Sequence, residues 1–364
     1  MKKIISLFWV ACIALPLFSQ TRGIAIPNLE GYLTLKCNFH IHTIFSDGLV
    51  WPTVRIDEAY KEGLDAISIT EHLESRRYIR EIEKLSGVSL KKLSHNLSYE
   101  IAEPYAKEKN IILIRGSEIT RAMPPGHHNA IFLTNSDDLD KPDYMDAFRA
   151  AKAQNAFIFW NHPCWDAQQP DTTLWFDEHS RPLQQGMLQG IEVVNGGHYC
   201  PEAHRWCLEK KLTMLGNSDV HQPMQNFPAG KHRAMTLVFA RSKTPEAIHE
   251  ALKERRTAVY SDEQIIGEEK YLKELFENAV EMNVEKTNNT VRITFRNKSD
   301  LTFHLKKTNH DARLVYFRDY TIVPHGVHTI TVRLESGVTG GDVNFSVENF
   351  LVEPNKGMRY SIKI

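Results

Sequence analysis

Residues 36–73 read KCNFHIHTIFSDGLVWPTVRIDEAYKEGLDAISITEHL, and the fold turns on how this stretch divides. An apolar run ends in His40 and His42. A Ser46-Asp47-Gly48 turn follows, then an amphipathic segment, then a second apolar run ending in Glu71-His72. In the amphipathic part, residues 53–61, Val54, Ile56, Ala59 and Tyr60 recur among charges, and Gly63 supplies a helix stop. Two strands joined by a helix, each delivering metal-capable side chains at its C-terminal end, predict the first βαβ unit of a barrel with metal ions at its mouth.

Working outward, the alternation continues. Strands are expected at 32–43, 66–70, 111–114, 128–133, 156–160, 190–194, 212–215 and 234–240. Helices are expected at 53–61, 144–154, 201–211 and 244–255, with a charged helical tract between the second and third strands. This spacing predicts a parallel sheet. His40, His42, His72, Glu118, His162, Asn195, Asp219 and His221 all fall at or just past C-terminal strand ends. Such ends converge on one mouth in a closed barrel, whereas an open sheet spreads them along an edge. The expected division is a barrel over 30–265, a helical linker over 266–279 and an all-β sandwich over 280–364, where alternating strands are punctuated by turns such as Asn288-Asn289 and Gly340-Gly341. His304, His310, His325 and His328 in that last part lack ligand spacing and read as surface or turn residues.

Of 364 residues, 42% are hydrophobic and 24% charged, which suits a substantial core. A net charge of −1 gives no reason to expect nucleic acid as a partner. Histidine, at 17, is in clear excess, and it is the commonest metal ligand. Residues 1–19 read as a secretory signal peptide: Lys2 and Lys3, an apolar run to Phe18, then Ser19. A lipoprotein signal through Cys12 is disfavoured by Trp9, which sits where a small aliphatic residue belongs. The expected location is periplasmic or secreted, with no transmembrane span after cleavage. Cys37, Cys164, Cys200 and Cys207 then remain. They can pair in an exported protein or stay as small buried hydrophobes.

His40-Ile41-His42 sets two imidazoles on one face of a strand, where both can grip one ion, and Asp219 and His221 repeat the spacing. Glu118, behind Gly116-Ser117, buries a charge that needs a cation. Singly, each of these is an ordinary turn, cap or strand end. Together they place ligand-type residues at successive ends of the same sheet.

HIHTIFSDG, TEH, GSE followed by Gly-His, NHP and NSDVH, in this order, resemble the motifs of the polymerase-and-histidinol-phosphatase (PHP) family over roughly residues 33–256. The resemblance implies a distorted seven-stranded β/α barrel, a trinuclear metal site and phosphoester hydrolysis. The layout with a β tail is most similar to the family's exported phosphodiesterases. Carried onto this chain, the first metal takes His40, His42, Glu118 and Asp219. The second shares Glu118 and adds His127 and His162, with His127 favoured over His128. The third takes Asp47, His72 and His221. Glu118, His72 and Asp219 are the expected catalytic residues. Glu71 stands where many members have Asp, with an expected role in orienting a neighbouring imidazole.

Two to three divalent ions, zinc, manganese or iron, suit this donor set. They would screen the phosphate and provide a metal-bridging hydroxide for attack on a small phosphodiester. Arg115, Arg121, Lys231 and Arg233 are candidate clamps for phosphoryl oxygens. Residues 165–186, with Trp165, Trp175 and Phe176, read as a lid over an apolar leaving group or as a segment packed on the β part. The alternatives are a phosphomonoesterase on a small alcohol or sugar phosphate, and a non-catalytic metal-stabilised binding protein at the cell surface. An amidohydrolase-like enzyme fits less well, given Asp219-x-His221 and the Ser-Asp-Gly turn.

Overall fold

The computed structural model describes residues 23–86, 93–224, 232–308 and 311–364; the expected signal segment, Lys231 and His310 lie outside them. β1 (Leu33–Asn38), α1 (Pro52–Glu62) and β2 (Ala66–Ile69) form the first unit, with Cys37 opposite Ala66 in parallel register. Pro52 opens α1 with its φ already helical, and Gly63 closes it at φ 70°, a left-handed conformation that costs a glycine nothing. The chain continues through α2 (Arg77–Ser86), α3 (Leu97–Glu108), β3 (Ile112–Ile119), β4 (His128–Ile131), α4 (Tyr144–Ala153), β5 (Phe157–Trp160), α5 (Asp177–Gln184) and β6 (Leu188–Asn195). The short β7 (His198–Tyr199), α6 (Pro201–Lys210), β8 (Thr213–Asn217), β9 (Met235–Ala240) and α7 (Pro245–Lys253) follow.

β1 to β6 and then β8 are hydrogen-bonded neighbours in that order and form the seven-stranded barrel. The sheet is not wholly parallel, as the strand–helix alternation had implied. β4 runs antiparallel to both β3 and β5. Residues 120–127 alone connect β3 to β4, and a parallel crossover needs about a dozen residues or more. β4 therefore starts at the mouth, and His127 reaches the site from a strand's beginning.

Closure is uneven. At the mouth, the end of β8 meets the end of β1 directly: Asp219 N–H donates to His40 O at 3.0 Å and His42 N–H to Val220 O at 3.1 Å. Lower down, β9 pairs antiparallel with β1, and Thr236 Oγ1 bonds both Gly216 N (3.0 Å) and Gly216 O (2.9 Å) on β8. β9 thus wedges the base open while the mouth stays tight.

A β10 (Thr257–Ser261)–β11 (Gln264–Gly267) hairpin extends this sheet from β9. After α8 (Glu269–Ala279) come β12 (Val280–Thr287), β13 (Thr290–Asn297), β14 (Phe303–Lys307), β15 (Leu314–Val315), β16 (Asp319–Ile322), β17 (Val327–Leu334), β18 (Asp342–Glu353) and β19 (Lys356–Lys363). One sheet runs β12-β13-β17-β15. The facing one holds β16-β14-β18-β19. Val291, Ile293 and Phe295 alternate inward along β13, the period-two pattern of a sandwich. β18 also pairs in parallel with β11, setting Ile265 opposite Phe350, so barrel and sandwich share a continuous sheet. α8 lies in the region expected as a linker, yet Leu272, Leu275, Phe276 and Ala279 are all buried. Phe276 packs on Phe303 and Tyr360 with ring centroids 5.1 and 4.8 Å away.

Candidate metal centre

The ends of β1, β2, β3, β5 and β8, with the start of β4, bring nine side chains together. His40, His42 and Glu118 are fully buried. His40 Nε2 lies 3.0 Å from Glu118 Oε2 and 3.1 Å from Asp219 Oδ1; His42 Nε2 lies 3.2 and 3.1 Å from the same two atoms. Glu118 also approaches His127 Nδ1 (2.6 Å) and His72 Nδ1 (3.4 Å). His162 Nε2 is 4.0 Å from Asp219 Oδ2. Asp47 faces His221 Nε2 at 3.2 Å and His72 Nε2 at 3.4 Å. His42 is sandwiched between His72 and His221, with ring centroids 4.5 and 4.3 Å away.

Four overlapping groups have ligand atoms close enough to share an ion: His40–His42–Asp219; His40–Glu118–His162; His72–Glu118–His127; and His42–Asp47–His72–His221. The division differs in detail from the one the resemblance implies. Glu118 joins two groups that exclude Asp219, and His42 and His72 are each shared. His127 faces Glu118, whereas His128, next along the alternating strand, is buried against Trp160, Phe148 and His179. Burial holds the His128 imidazole well below its usual pKa, so it is neutral.

The donor set fits divalent ions on the geometry of this chain alone. His42 Nε2, Glu118 Oε1, His127 Nδ1, His162 Nδ1 and Asp219 Oδ1 are buried atoms without a hydrogen-bond partner, although some lie within 3.2 Å of an opposite-type atom. Buried polar groups are otherwise almost always paired, so convergent orphans point to cations between them.

The electrostatics agree. Burial disfavours charge on His40, but Asp219, Glu192 and Glu118 overcome it and hold the pKa well above the usual range. Burial likewise opposes charge on His42, yet its bonds to Asp219 and Glu118 raise it to about 9. Asp47, Glu118 and Asp219 would be raised by burial, but the surrounding imidazoles hold all three below the carboxylate range. Without metal, protons on histidine balance these carboxylates.

Backbone details aim the ligands. Gly48 lies so close to His42 that a Cβ would meet its carbonyl carbon and oxygen at 2.6 Å, so the Ser-Asp-Gly turn needs glycine there. His162 and Asp219 hold φ of 30° and 50°, strain of a kind that persists at functional positions. Glu118 N–H donates to Glu71 O at 2.9 Å and Leu73 N–H to Glu118 O at 3.0 Å, which sets His72 beside Glu118.

Three supporting residues escaped the sequence reading of the site. Glu192, 1% exposed within β6, accepts from His162 N–H at 2.8 Å, Asn195 Nδ2 at 2.8 Å and Asn217 Nδ2 at 2.9 Å, and meets His40 Nδ1 at 2.8 Å. Arg55 on α1, 1% exposed, donates to the carbonyls of His42, Val220, His221 and Gln222 at 2.8–3.1 Å and to Glu58 at 2.7 Å. Glu58 in turn accepts from Met224 N–H at 2.7 Å. Their signal was weak: a lone Glu inside an apolar strand, and an Arg-x-x-Glu pair among the charges of an amphipathic helix. Glu71 was noticed, and its link to an imidazole is indirect: Ser46 Oγ, which bonds Glu71, also lies 3.4 Å from His42 Nδ1. Glu71 accepts from Thr43 N–H at 3.2 Å and from the hydroxyls of Thr43 and Ser46, fixing the loop that carries Asp47.

The three described candidate phosphate clamps are engaged elsewhere. Arg115 bonds Asn96 Oδ1 at 2.6 Å and stacks on Tyr99. Arg121 pairs with Glu74 and donates to Lys141 O at 2.7 Å. Arg233 is held by Glu62, with a 3.3 Å contact to Ser218 Oγ. The mouth, about 510 Å³, is lined by seven of the nine ligand-type residues, all but His40 and His42, with Ser75, Thr120, Trp165 and Asn195, and by no Lys or Arg among the described residues. Of the expected lid, Trp175 packs on Trp160 and Trp206 in the core, and Trp165 alone reaches the mouth. Cys164 and Cys200 form a disulfide beside it, while Cys37 and Cys207 are free and buried.

Comparison with solved structures places this architecture. A two-domain Bacteroides vulgatus protein, described as containing a predicted PHP-like metal-dependent phosphoesterase, shares 52% sequence identity with a TM-score of 0.89, covering 95% of this chain and all of that one. A Bifidobacterium adolescentis protein described as a metal-dependent phosphoesterase is a slighter likeness, 16% identical with a TM-score of 0.41, covering 56% of this chain and 93% of that one. An Ig-like domain family matches residues 277–363. No curated protein matches the chain.

Proposed function

The chain belongs to the PHP-like metal-dependent phosphoesterases, and from that premise we propose that it hydrolyses phosphodiesters at the barrel mouth. The observation that carries this reading is the charge of the mouth: Asp47, Glu118 and Asp219 with imidazoles, and no Lys or Arg among the described lining residues. Phosphomonoesters approach a dianion at neutral pH, while diesters are monoanions. Two divalent ions set against three carboxylates leave one net positive charge, matching a diester.

His40–His42–Asp219, His40–Glu118–His162 and His72–Glu118–His127 overlap in His40 and Glu118, and together they would hold those two ions, with zinc, manganese or iron all suited. Bound there, they would supply Lewis-acid neutralisation of the phosphoryl oxygens and acidify the attacking water. The chain's own residues do the positioning. Glu118, touched by imidazoles from several strands, spaces the donors. Glu192 holds His40 and the His162 backbone in place. Thr120 Oγ1, 2.6 Å from His72 Nδ1, fixes that ring with Nε2 toward Asp47.

A second reading has its own support. The His42–Asp47–His72–His221 group would add two charges if filled by a third ion, which suits a dianionic monoester. Export is also part of the proposal, supported by the apolar leader and by the Cys164–Cys200 disulfide, a bond that persists in oxidising compartments.

Bis(p-nitrophenyl) phosphate and p-nitrophenyl phosphate, assayed with metal, with chelator and after metal is restored, separate these readings. Metal-restored turnover favouring the diester is the expected result. Faster monoester turnover would demote it, and no turnover of either would leave only a binding role.

A further inference from the structure

Trp165 stands between two clefts. On one side is the metal-ligand mouth. On the other is a smaller cleft of about 140 Å³ lined by His162, Pro163, the Cys164–Cys200 disulfide, Asp166, Glu192, Asn195 and His198. His162, Trp165 and Asn195 line both, so the clefts adjoin.

Trp165 is 46% exposed, a large apolar ring left uncovered beside a charged centre. It is nonetheless held in place. Its ring lies edge-on to His127 and His162, with centroids 5.8 and 5.0 Å away, and its backbone N–H donates to His162 O at 2.9 Å. Buried Gln169 pins the loop, donating to Pro163 O at 2.9 Å and accepting from Leu174 N–H at 2.8 Å. The disulfide ties the same loop to the start of α6. A rigid, exposed indole beside a reaction centre is an anchor awaiting a flat partner, since aromatic pairs gain from stacking beyond the area they bury.

We propose that the cleft between Trp165 and the Cys164–Cys200 disulfide receives one ester substituent of the substrate, and that this substituent is uncharged and planar, such as an aryl group. The proposal rests on the phosphoester reading of the adjoining mouth. Size agrees: an apolar cavity of about 150 Å³ accommodates benzene. Charge agrees too. Asp166 and Glu192 line the cleft, and no Lys or Arg does among the described residues, so a second anionic group would be repelled. Glu192 is already engaged by His40, His162 N–H, Asn195 and Asn217, which leaves the indole, with exposed Asp166 and His198, to face the substituent.

Calorimetric titration of metal-loaded protein with phenyl methylphosphonate and with methyl methylphosphonate tests this. The two probes are monoanions that differ only in the ester substituent, and phosphorus NMR of each titrated sample checks that its P–O ester bond is intact. The phenyl ester is expected to bind about tenfold tighter, a stacking-sized preference. Trp165→Ala should cut the preference to under about twofold without weakening the methyl ester, and Trp165→Phe should retain most of it. Equal affinities in the wild type, or an unchanged preference in Trp165→Ala, would overturn the subsite. Methyl methylphosphonate binding reports the mouth on its own: if it is present without a phenyl preference, only the subsite fails. If neither anion binds protein shown to hold metal, the phosphoester reading fails with it.

Discussion

His40 has both ring nitrogens committed, Nδ1 to Glu192 and Nε2 between Glu118 and Asp219. The metal-side partners are polar residues that interrupt the ends of apolar strands, and polar residues there stand out in a sequence. Glu192 sits within GIEVV and looks like part of a buried strand, so its role becomes visible only when β6 is set beside β1. Asp47 shows a different limit. By itself it reads as a turn residue; the family resemblance alone makes it a candidate ligand, and in the fold it lies 3.4 Å from His72 and 3.2 Å from His221. Asp47→Asn separates the two readings by elemental analysis after dialysis: the count should stay near two if two ions suffice, and fall by about one equivalent if the His42–Asp47–His72–His221 group is filled, because a neutral amide is a poor ligand for a hard cation. The ions served by Glu118 and Asp219 should remain.

The protons on the cage give a pH prediction. His42 titrates near 9 in the fold against 6.5 for a free imidazole, so its charged form stabilises the metal-free protein fully below that lower value. This contribution is lost as pH rises toward 9. Asp47, Glu118 and Asp219 are depressed, so their contribution is present above about pH 4 and fades as pH falls through their folded values. Metal must displace the histidine protons. The rise in Tm on adding metal should therefore grow between about pH 6 and 9, with proton release seen by calorimetry in buffers of different ionisation enthalpy.

At the scale of elements, the order of strands and helices was legible because each apolar run is bounded by a clear stop. Direction was less so: the antiparallel course of β4 follows from a short connection, which an apolar pattern does not reveal. The β10–β11 hairpin was missed altogether. Its turn uses Asp262 and Glu263 at φ of 45° and 69°, in place of the usual Asn-Gly. Helix α1 held the larger surprise. Arg55 faces inward and ties the loop after β1 to the loop after β8, while Val54 is 37% exposed. Arg55→Met would strand Glu58 and four carbonyl groups. The expected cost is about 3–5 kcal/mol, since removing one partner leaves a buried charge uncompensated. Urea unfolding would measure it, and a change within about 0.5 kcal/mol, the range of ordinary surface substitutions, would show that water can replace the guanidinium.

Over the whole molecule, two domains were legible from the switch between helical and alternating patterns, but their joint was not. β11 and β18 run side by side in one sheet, and α8 buries its apolar face among residues of both parts. Domains joined by a hydrophobic seam should unfold together. Trp51, Trp160, Trp165, Trp175 and Trp206 all precede the sandwich, and Trp9 lies in the expected signal segment, so emission of the processed protein follows the barrel, while far-UV circular dichroism follows both parts. The two signals should share one urea midpoint, the usual test of a single transition. Phe276→Ala opens a cavity between Phe303 and Tyr360 at an expected cost of about 3–5 kcal/mol. Because Phe276 touches the sandwich, barrels that unfolded independently would leave tryptophan emission largely unmoved. A cooperative molecule must shift that emission to lower urea in step with the circular dichroism, although the buried Trp160 and Trp206 lie in another cluster of the core.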